Sequence, residues 1–234
     1  VEDLDGTTDL ESALSGADLV IEAVPEDLDL KRETFADTED HVAEDTIIAT
    51  NTSSMAVSSI AAALKHPERA VGLHFFNPPH KMDLVEVVLA DQTDEETAAR
   101  AEEFVDGLEK EPVVVTDTPG FASSRLGVAL GVEAMRMVEN GVASVEDIDA
   151  AMELGYNHPV GPLELTDRVG LDVRLDICEY LHEELGDRFE PPEVLREKVE
   201  NGETGKKVGR GFYVWEGGEP KDVADDEDYD IEDV

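Results

Sequence analysis

The chain has 234 residues, enough for one large domain or two small ones, and its 41% hydrophobic content can support a real core. Its 58 acidic and 18 basic side chains give a formal charge of −40, which excludes nucleic acid and anionic membranes as partners. No run approaches the ~18 apolar residues of a membrane helix, and the acidic start lacks the basic region of a signal peptide.

In chain order, Thr8 with Glu11 reads as a capping box for a short helix through Leu14. Ala17 to Val24 is an apolar strand. Asp29 to Val42 reads as a helix with Leu30, Phe35 and Val42 inward, followed by a β-branched strand from Thr46 to Thr50. Ser54 is placed to cap a helix through Leu64. Ala70 to Phe75 and Asp83 to Leu89 are strands, joined by a loop containing Asn77-Pro78-Pro79-His80. Thr93 with Glu96 forms a second capping box for a helix to Leu108, and Pro112 to Thr116 is a last strand. Short apolar strands separated by helices predict an α/β sheet buried on both faces.

At Pro119-Gly120 the texture becomes helical. Helices are expected from Phe121 to Glu139, from Ser144 to just before Gly155, near Pro162 to Val169, from Leu171 to Leu185, and from Pro191 to Gly202. Apolar residues recur periodically throughout, which argues against a disordered acidic chain. Only the stretch after Trp215, rich in Asp and Glu, reads as a disordered tail. The remaining acidity is that of a salt-adapted surface: in molar salt the Debye length is roughly 3 Å, so distant carboxylates barely interact. The lone Cys178 excludes an intrachain disulfide and suits a reducing compartment, so the cytoplasm is expected; the residue reads as a small buried hydrophobe.

His74 closes an apolar strand, and Glu86 sits between Val85 and Val87 in the next. A carboxylate in an apolar strand needs a partner. If a short connection sets the strands side by side, Glu86 fixes the His74 tautomer and stabilises its imidazolium, a general-base arrangement. The alternatives are a structural His and an edge carboxylate facing water. Asn51-Thr52-Ser53-Ser54 follows a strand, where open α/β sheets bind ligands. Glu22 and Glu26 flank the end of the first clear strand, where solvation is the default fate of either acid alone. Lys206, Lys207 and Arg210 stand among glycines in a chain that otherwise avoids cations. A phosphate-bearing ligand explains them, and so does pairing with surface acids. The histidines show no metal-ligand spacing, so no metal is expected.

These segments, in this order, resemble the L-3-hydroxyacyl-CoA dehydrogenases, including the 3-hydroxybutyryl-CoA dehydrogenases. The resemblance rests on Asp18-Leu19-Val20-Ile21-Glu22-Ala23, Ala49-Thr50-Asn51-Thr52-Ser53-Ser54, Gly72-Leu73-His74-Phe75-Phe76-Asn77-Pro78, Leu84-Val85-Glu86-Val87-Val88, Asp117-Thr118-Pro119-Gly120-Phe121, Gly161-Pro162-Leu163, Gly205-Lys206-Lys207 and Gly211-Phe212-Tyr213. It implies a partial Rossmann-like NAD-binding domain over 1–118, a helical C-terminal domain over 119–215 and an acidic tail over 216–234. It implies oxidation of L-3-hydroxyacyl-CoA with NAD, in fatty-acid β-oxidation or butanoate-type metabolism. His74 would be the base, Glu86 its partner, and Ser53 a contact to substrate and cofactor. Glu26, Lys31, Asn77 and Lys207 look like cofactor contacts. The helical domain would supply a homodimer interface and close over the acyl-CoA.

The chain departs from the family's pattern in two places. The Gly-rich turn that cradles the pyrophosphate is not in this sequence, so an N-terminally truncated haloarchaeal-type member that binds NAD poorly is expected. Ser124 precedes Arg125 where the family usually has Asn, with a shorter reach toward the thioester. The competing readings are an L-gulonate-type hydroxy-acid dehydrogenase and a non-catalytic dimerisation or acyl-CoA-binding remnant.

Overall fold

The structure, a computed structural model, describes residues 5–224. It divides into two compact units, Val1–Phe121 and Ala122–Val234.

The first unit runs α1 (Leu10–Leu14), β1 (Leu19–Glu22), α2 (Leu28–Glu39), β2 (Ile47–Thr50), α3 (Val57–Ala61), β3 (Ala70–Phe75), β4 (Leu84–Leu89), α4 (Glu95–Gly107) and β5 (Glu111–Thr116). Its strands form one five-stranded sheet in chain order. β1, β2 and β3 are parallel; β4 runs antiparallel to β3, and β5 is parallel to β4. Strand side chains alternate between faces. Ile48, Ala70 and Val88 pack with Phe35, Val57 and Ile60. Ile47, Ala49, Val71, Leu73, Val85 and Val87 pack with Ala101 and Val105 of α4. The central strands are therefore covered on both sides, as the α/β Rossmann-like expectation requires. The edge strand β5 is not: Val113 and Val114 stay 37% and 43% exposed.

Helix starts depart from the sequence reading in a consistent way. Asp9, not Thr8, caps α1 by accepting from Ser12 N. Asp94, not Thr93, caps α4 by accepting from Thr97 N, while the Thr93 hydroxyl donates to Ala70 O. At α3 the cap is remote: the Asp117 carboxylate accepts from Val57 N and Ser58 N, and Ser54 does not cap. In each case an ionised carboxylate within reach supplies the stronger acceptor for orphan N–H groups. In α2, Phe35 is buried as expected, but Leu30 is 38% exposed and Lys31 is the residue turned inward.

The second unit holds α5 (Ser123–Glu139), α6 (Val145–Tyr156), α7 (Pro162–Val169), α8 (Leu171–Leu185) and α9 (Glu193–Glu200). Ser144 caps α6 as expected, but the helix runs through Gly155 because Asn157 ends it in the left-handed region at φ 60. Val128, Val132, Met135, Leu163, Leu171, Leu181, Leu195, Phe212 and Trp215 belong to a single core cluster. The expected tail is corrected in its first part: residues 216–224 are ordered. β6 (Tyr213–Glu216) and β7 (Glu219–Val223) form an antiparallel hairpin, and Ala224 is buried with its N–H on Phe212 O. Residues 225–234 lie outside the described residues.

Candidate active site

β3 and β4 are antiparallel with His74 opposite Glu86. Directly opposed residues share a face, here the face on which Ala70 and Val88 pack. His74 Nδ1 lies 2.8 Å from Glu86 Oε2, with both side chains buried. A carboxylate has only lone pairs to offer, so Nδ1 carries a hydrogen, and in the neutral imidazole Nε2 is the atom with the lone pair. The ring rests against Phe76 and Phe121, at centroid distances of 4.6 and 5.8 Å. Buried Glu86 is thus not an edge carboxylate facing water.

A second cluster sits at the carboxyl ends of β1 and β2. Glu22 is buried, not solvated; it accepts from Lys31 Nζ at 2.9 Å, Thr50 Oγ1 at 2.7 Å and Val24 N at 2.6 Å. Lys31 Nζ also donates to Val24 O at 3.1 Å and meets Glu26 at 3.2 Å, so its three hydrogens have acceptors inside the protein. Glu26 accepts from Ser53 N at 2.8 Å and Thr52 Oγ1 at 3.0 Å, and its side chain is 42% exposed. The network therefore ends in one solvent-reaching carboxylate on the Ser53 loop. This arrangement fits a nicotinamide cofactor, because that carboxylate can accept from sugar hydroxyls at the sheet edge where α/β folds bind nucleotides. Lys31, at 2% side-chain exposure, can act on a ligand only through its acid partners. Exposed Asn77 lies in the loop after β3.

Two candidate residues belong to the second unit. Ser124 is half-buried in the first turn of α5. Lys207 pairs with Asp172, Arg210 with Glu203 at 2.8 Å, and Lys206 lies 5.1 Å from the centre of the Trp215 ring. Two of the glycines around these cations are required by the protein's own packing. A Cβ on Gly205 would fall 2.4 Å from Asp167 O, and one on Gly211 2.1 Å from Asp167 Oδ1. Asp167 is the buried post around which the loop is wound, accepting from Phe212 N, Tyr213 N and Trp215 Nε1, each at 2.9 Å. Among the described residues no three His, Cys, Asp or Glu side chains gather as a metal site needs, and no helix is long and apolar enough to cross a membrane.

Comparison with known proteins matches residues 1–118 to the 3-hydroxyacyl-CoA dehydrogenase NAD binding domain and residues 120–215 to the C-terminal domain of that family. The chain belongs to the 3-hydroxyacyl-CoA dehydrogenase family. It is 47% identical to a 3-hydroxybutyryl-CoA dehydrogenase of Mycobacterium tuberculosis, a match covering 89% of this chain and 74% of that protein. It is 44% identical to the mitochondrial hydroxyacyl-coenzyme A dehydrogenase of Sus scrofa, covering 89% and 67%. The crystal structure of (S)-3-hydroxybutyryl-CoA dehydrogenase PaaH1 from Ralstonia eutropha superposes with a TM-score of 0.85 at 40% identity, covering 90% of this chain and 75% of that one.

In this 3-hydroxyacyl-CoA dehydrogenase family member, three residues shape the site in roles the sequence does not show. Glu22 holds Lys31 in place. Asp117 caps α3, the helix that follows the Ser53 loop. Phe121, at φ +50 directly after Gly120, packs on the His74 ring. Asp117 and Phe121 were visible only as parts of a motif, because their partners lie more than forty residues away in sequence.

Proposed function

We propose that the protein interconverts L-3-hydroxyacyl-CoA and 3-oxoacyl-CoA with NAD, using His74 as general base and Glu86 as its partner. The observation that carries this reading is the 2.8 Å hydrogen bond from His74 Nδ1 to buried Glu86, which leaves Nε2 as the basic atom. NAD, when bound, supplies the hydride acceptor. Nε2 takes the proton of the 3-hydroxyl as C3 is oxidised, and Glu86 balances the charge that appears on the ring. In the reverse direction the imidazolium returns that proton to the 3-oxygen. Ser53 and Ser124 contact the substrate, Ser53 with its backbone held by Glu26. Glu26 meets the cofactor directly, Lys31 acts through Glu26, and Asn77 and Lys207 complete the cofactor's contacts. Lys207 has to exchange or share its Asp172 partner to do so.

The same reading places the cofactor domain in 1–118 and the acyl-CoA domain in 119–215, in a cytoplasmic protein with a salt-adapted surface. It makes the protein a homodimer through the helical unit, in keeping with Leu126, Leu154 and Tyr156 at 66%, 86% and 76% exposure. The test is the oxidation of NADH with acetoacetyl-CoA against free 3-oxo acids. Turnover with the thioester alone is expected. Preference for a free acid would favour a gulonate-type dehydrogenase, and lack of saturable NADH binding would favour a non-catalytic acyl-CoA-binding role.

A further inference from the structure

β2 leaves the sheet before β3 does. The parallel ladder between them ends at Thr50 opposite Gly72, yet β3 continues through His74 to Phe75. On the β2 side the Phe75 N–H has no backbone carbonyl to meet, and an unpaired backbone donor is costly where it is shielded from water. Asn51 takes the place of the missing ladder. Its own N–H donates to Glu22 O at 2.9 Å, and its Oδ1 accepts from Phe75 N at 2.9 Å. Asn51 thus ties the exit of β1, through its backbone N–H, to the exit of β3, through its side-chain oxygen, one residue beyond His74.

This bond also settles which way the amide faces. A backbone N–H only donates, so the amide oxygen must be the atom turned to Phe75. The Nδ2 group is then held at the other edge of the planar amide, and among the described residues it has no hydrogen-bond partner. Asn51 is half-buried at the carboxyl end of a parallel strand, the edge at which α/β sheets bind ligands. A donor fixed in direction by a bond at its other end needs no reorganisation to meet an acceptor.

We propose that Asn51 is a two-ended positioning residue. Oδ1 holds the end of β3 that carries His74, and Nδ2 donates to a carbonyl-type oxygen of the bound ligand. That oxygen is either the carboxamide of the nicotinamide or the 3-oxygen of the acyl-CoA. The inference rests on His74 acting as the base.

Three variants of the full-length protein separate the two ends. Asn51→Asp keeps an acceptor for Phe75 N and replaces the donor with lone pairs. Asn51→Ala removes both. His74→Ala reports on the underlying reading. Asn51→Asp should unfold within about a degree of the parent while kcat/KM falls about tenfold or more, and Asn51→Ala should lose both activity and thermal stability. A cofactor contact appears as a raised Kd for NADH with KM for acetoacetyl-CoA unchanged. A substrate contact appears as a lowered kcat with the Kd for NADH unchanged. Parental kcat/KM in Asn51→Asp, with His74→Ala inactive, overturns the two-ended role alone. Near-normal turnover in His74→Ala overturns the reading beneath it.

Discussion

The buried carboxylates of the α/β unit meet cations or an imidazole: Glu22 with Lys31, Glu39 with Arg69, Glu86 with His74. Those of the helical unit do not. Asp149 accepts from Leu163 N, Glu164 N and the Tyr213 hydroxyl, and Asp167 from two backbone N–H groups and an indole. The consequences diverge. Burial opposes ionisation of Glu39, but the N–H groups of Lys65 and His66 and the Arg69 guanidinium hold its carboxyl below the usual range. Burial pushes Asp149 and Asp167 above theirs, and their hydrogen bonds offset only part of it. Burial likewise lowers the pKa of Arg174, whose Nε has no partner, and raises the Cys178 thiol to about 12. In the first unit each buried carboxylate meets a cation or an imidazole, and two of the three, Glu22 and Glu86, hold candidate site residues. In the second, the buried carboxylates act as fixed acceptors that wind loops and start helices.

Desalting is the bluntest way to break this contrast. With a formal charge of −40, dialysis from molar to millimolar salt should cost the circular dichroism signal of both units; an unchanged spectrum would refute a salt-adapted surface. Next in size is His74→Ala, which should lower turnover by about 10²–10⁴-fold with NADH binding retained. Asp167→Ala sharpens the other side. It strips the acceptor from Phe212 N, Tyr213 N and Trp215 Nε1, at about 1 kcal/mol or more for each orphaned donor. Denaturant unfolding should show a loss of about 3 kcal/mol; a loss below about 1 kcal/mol would mean the loop is held elsewhere.

The smallest effect is a matter of sign. Glu39 titrates lower in the fold, so its contribution is present above its unfolded value of 4.5 and lost as pH falls through the folded value. Asp149 and Asp167 titrate higher in the fold. Their contribution is present below the unfolded value of 3.8 and lost as pH rises through the folded values. Glu39→Gln should therefore cost about 1 kcal/mol at neutral pH, the scale of one hydrogen bond. Its gap in Tm from the parent should close in acid. A constant gap would show that Glu39 acts by shape and not by charge.

The sheet, the helical second half and the His74–Glu86 pair were legible because each rests on a pattern: alternation, 3.6-residue periodicity, and a carboxylate stranded among valines. Thr8 and Thr93 were misread as caps because a one-residue shift to Asp9 or Asp94 leaves the local pattern unchanged. The burial of Glu22 was hidden because its partners Lys31 and Thr50 converge only when the first two strands pair. The packing role of Gly205 and Gly211 is hidden in the sequence because Asp167, the group they make room for, lies at least 38 residues earlier. The segment Glu219–Val223 reads as tail because its acidic, proline-containing sequence carries no strand signal of its own; pairing with Tyr213–Glu216 makes it a strand.

A double-mutant cycle on turnover tests the central claim most directly, using His74→Ala, Glu86→Gln and the pair together. If imidazole and carboxylate work as one base, Glu86→Gln alone slows turnover and adds nothing once His74 is gone, so the double variant matches His74→Ala. If the two losses multiply in the double variant, Glu86 serves something other than His74 and the account fails.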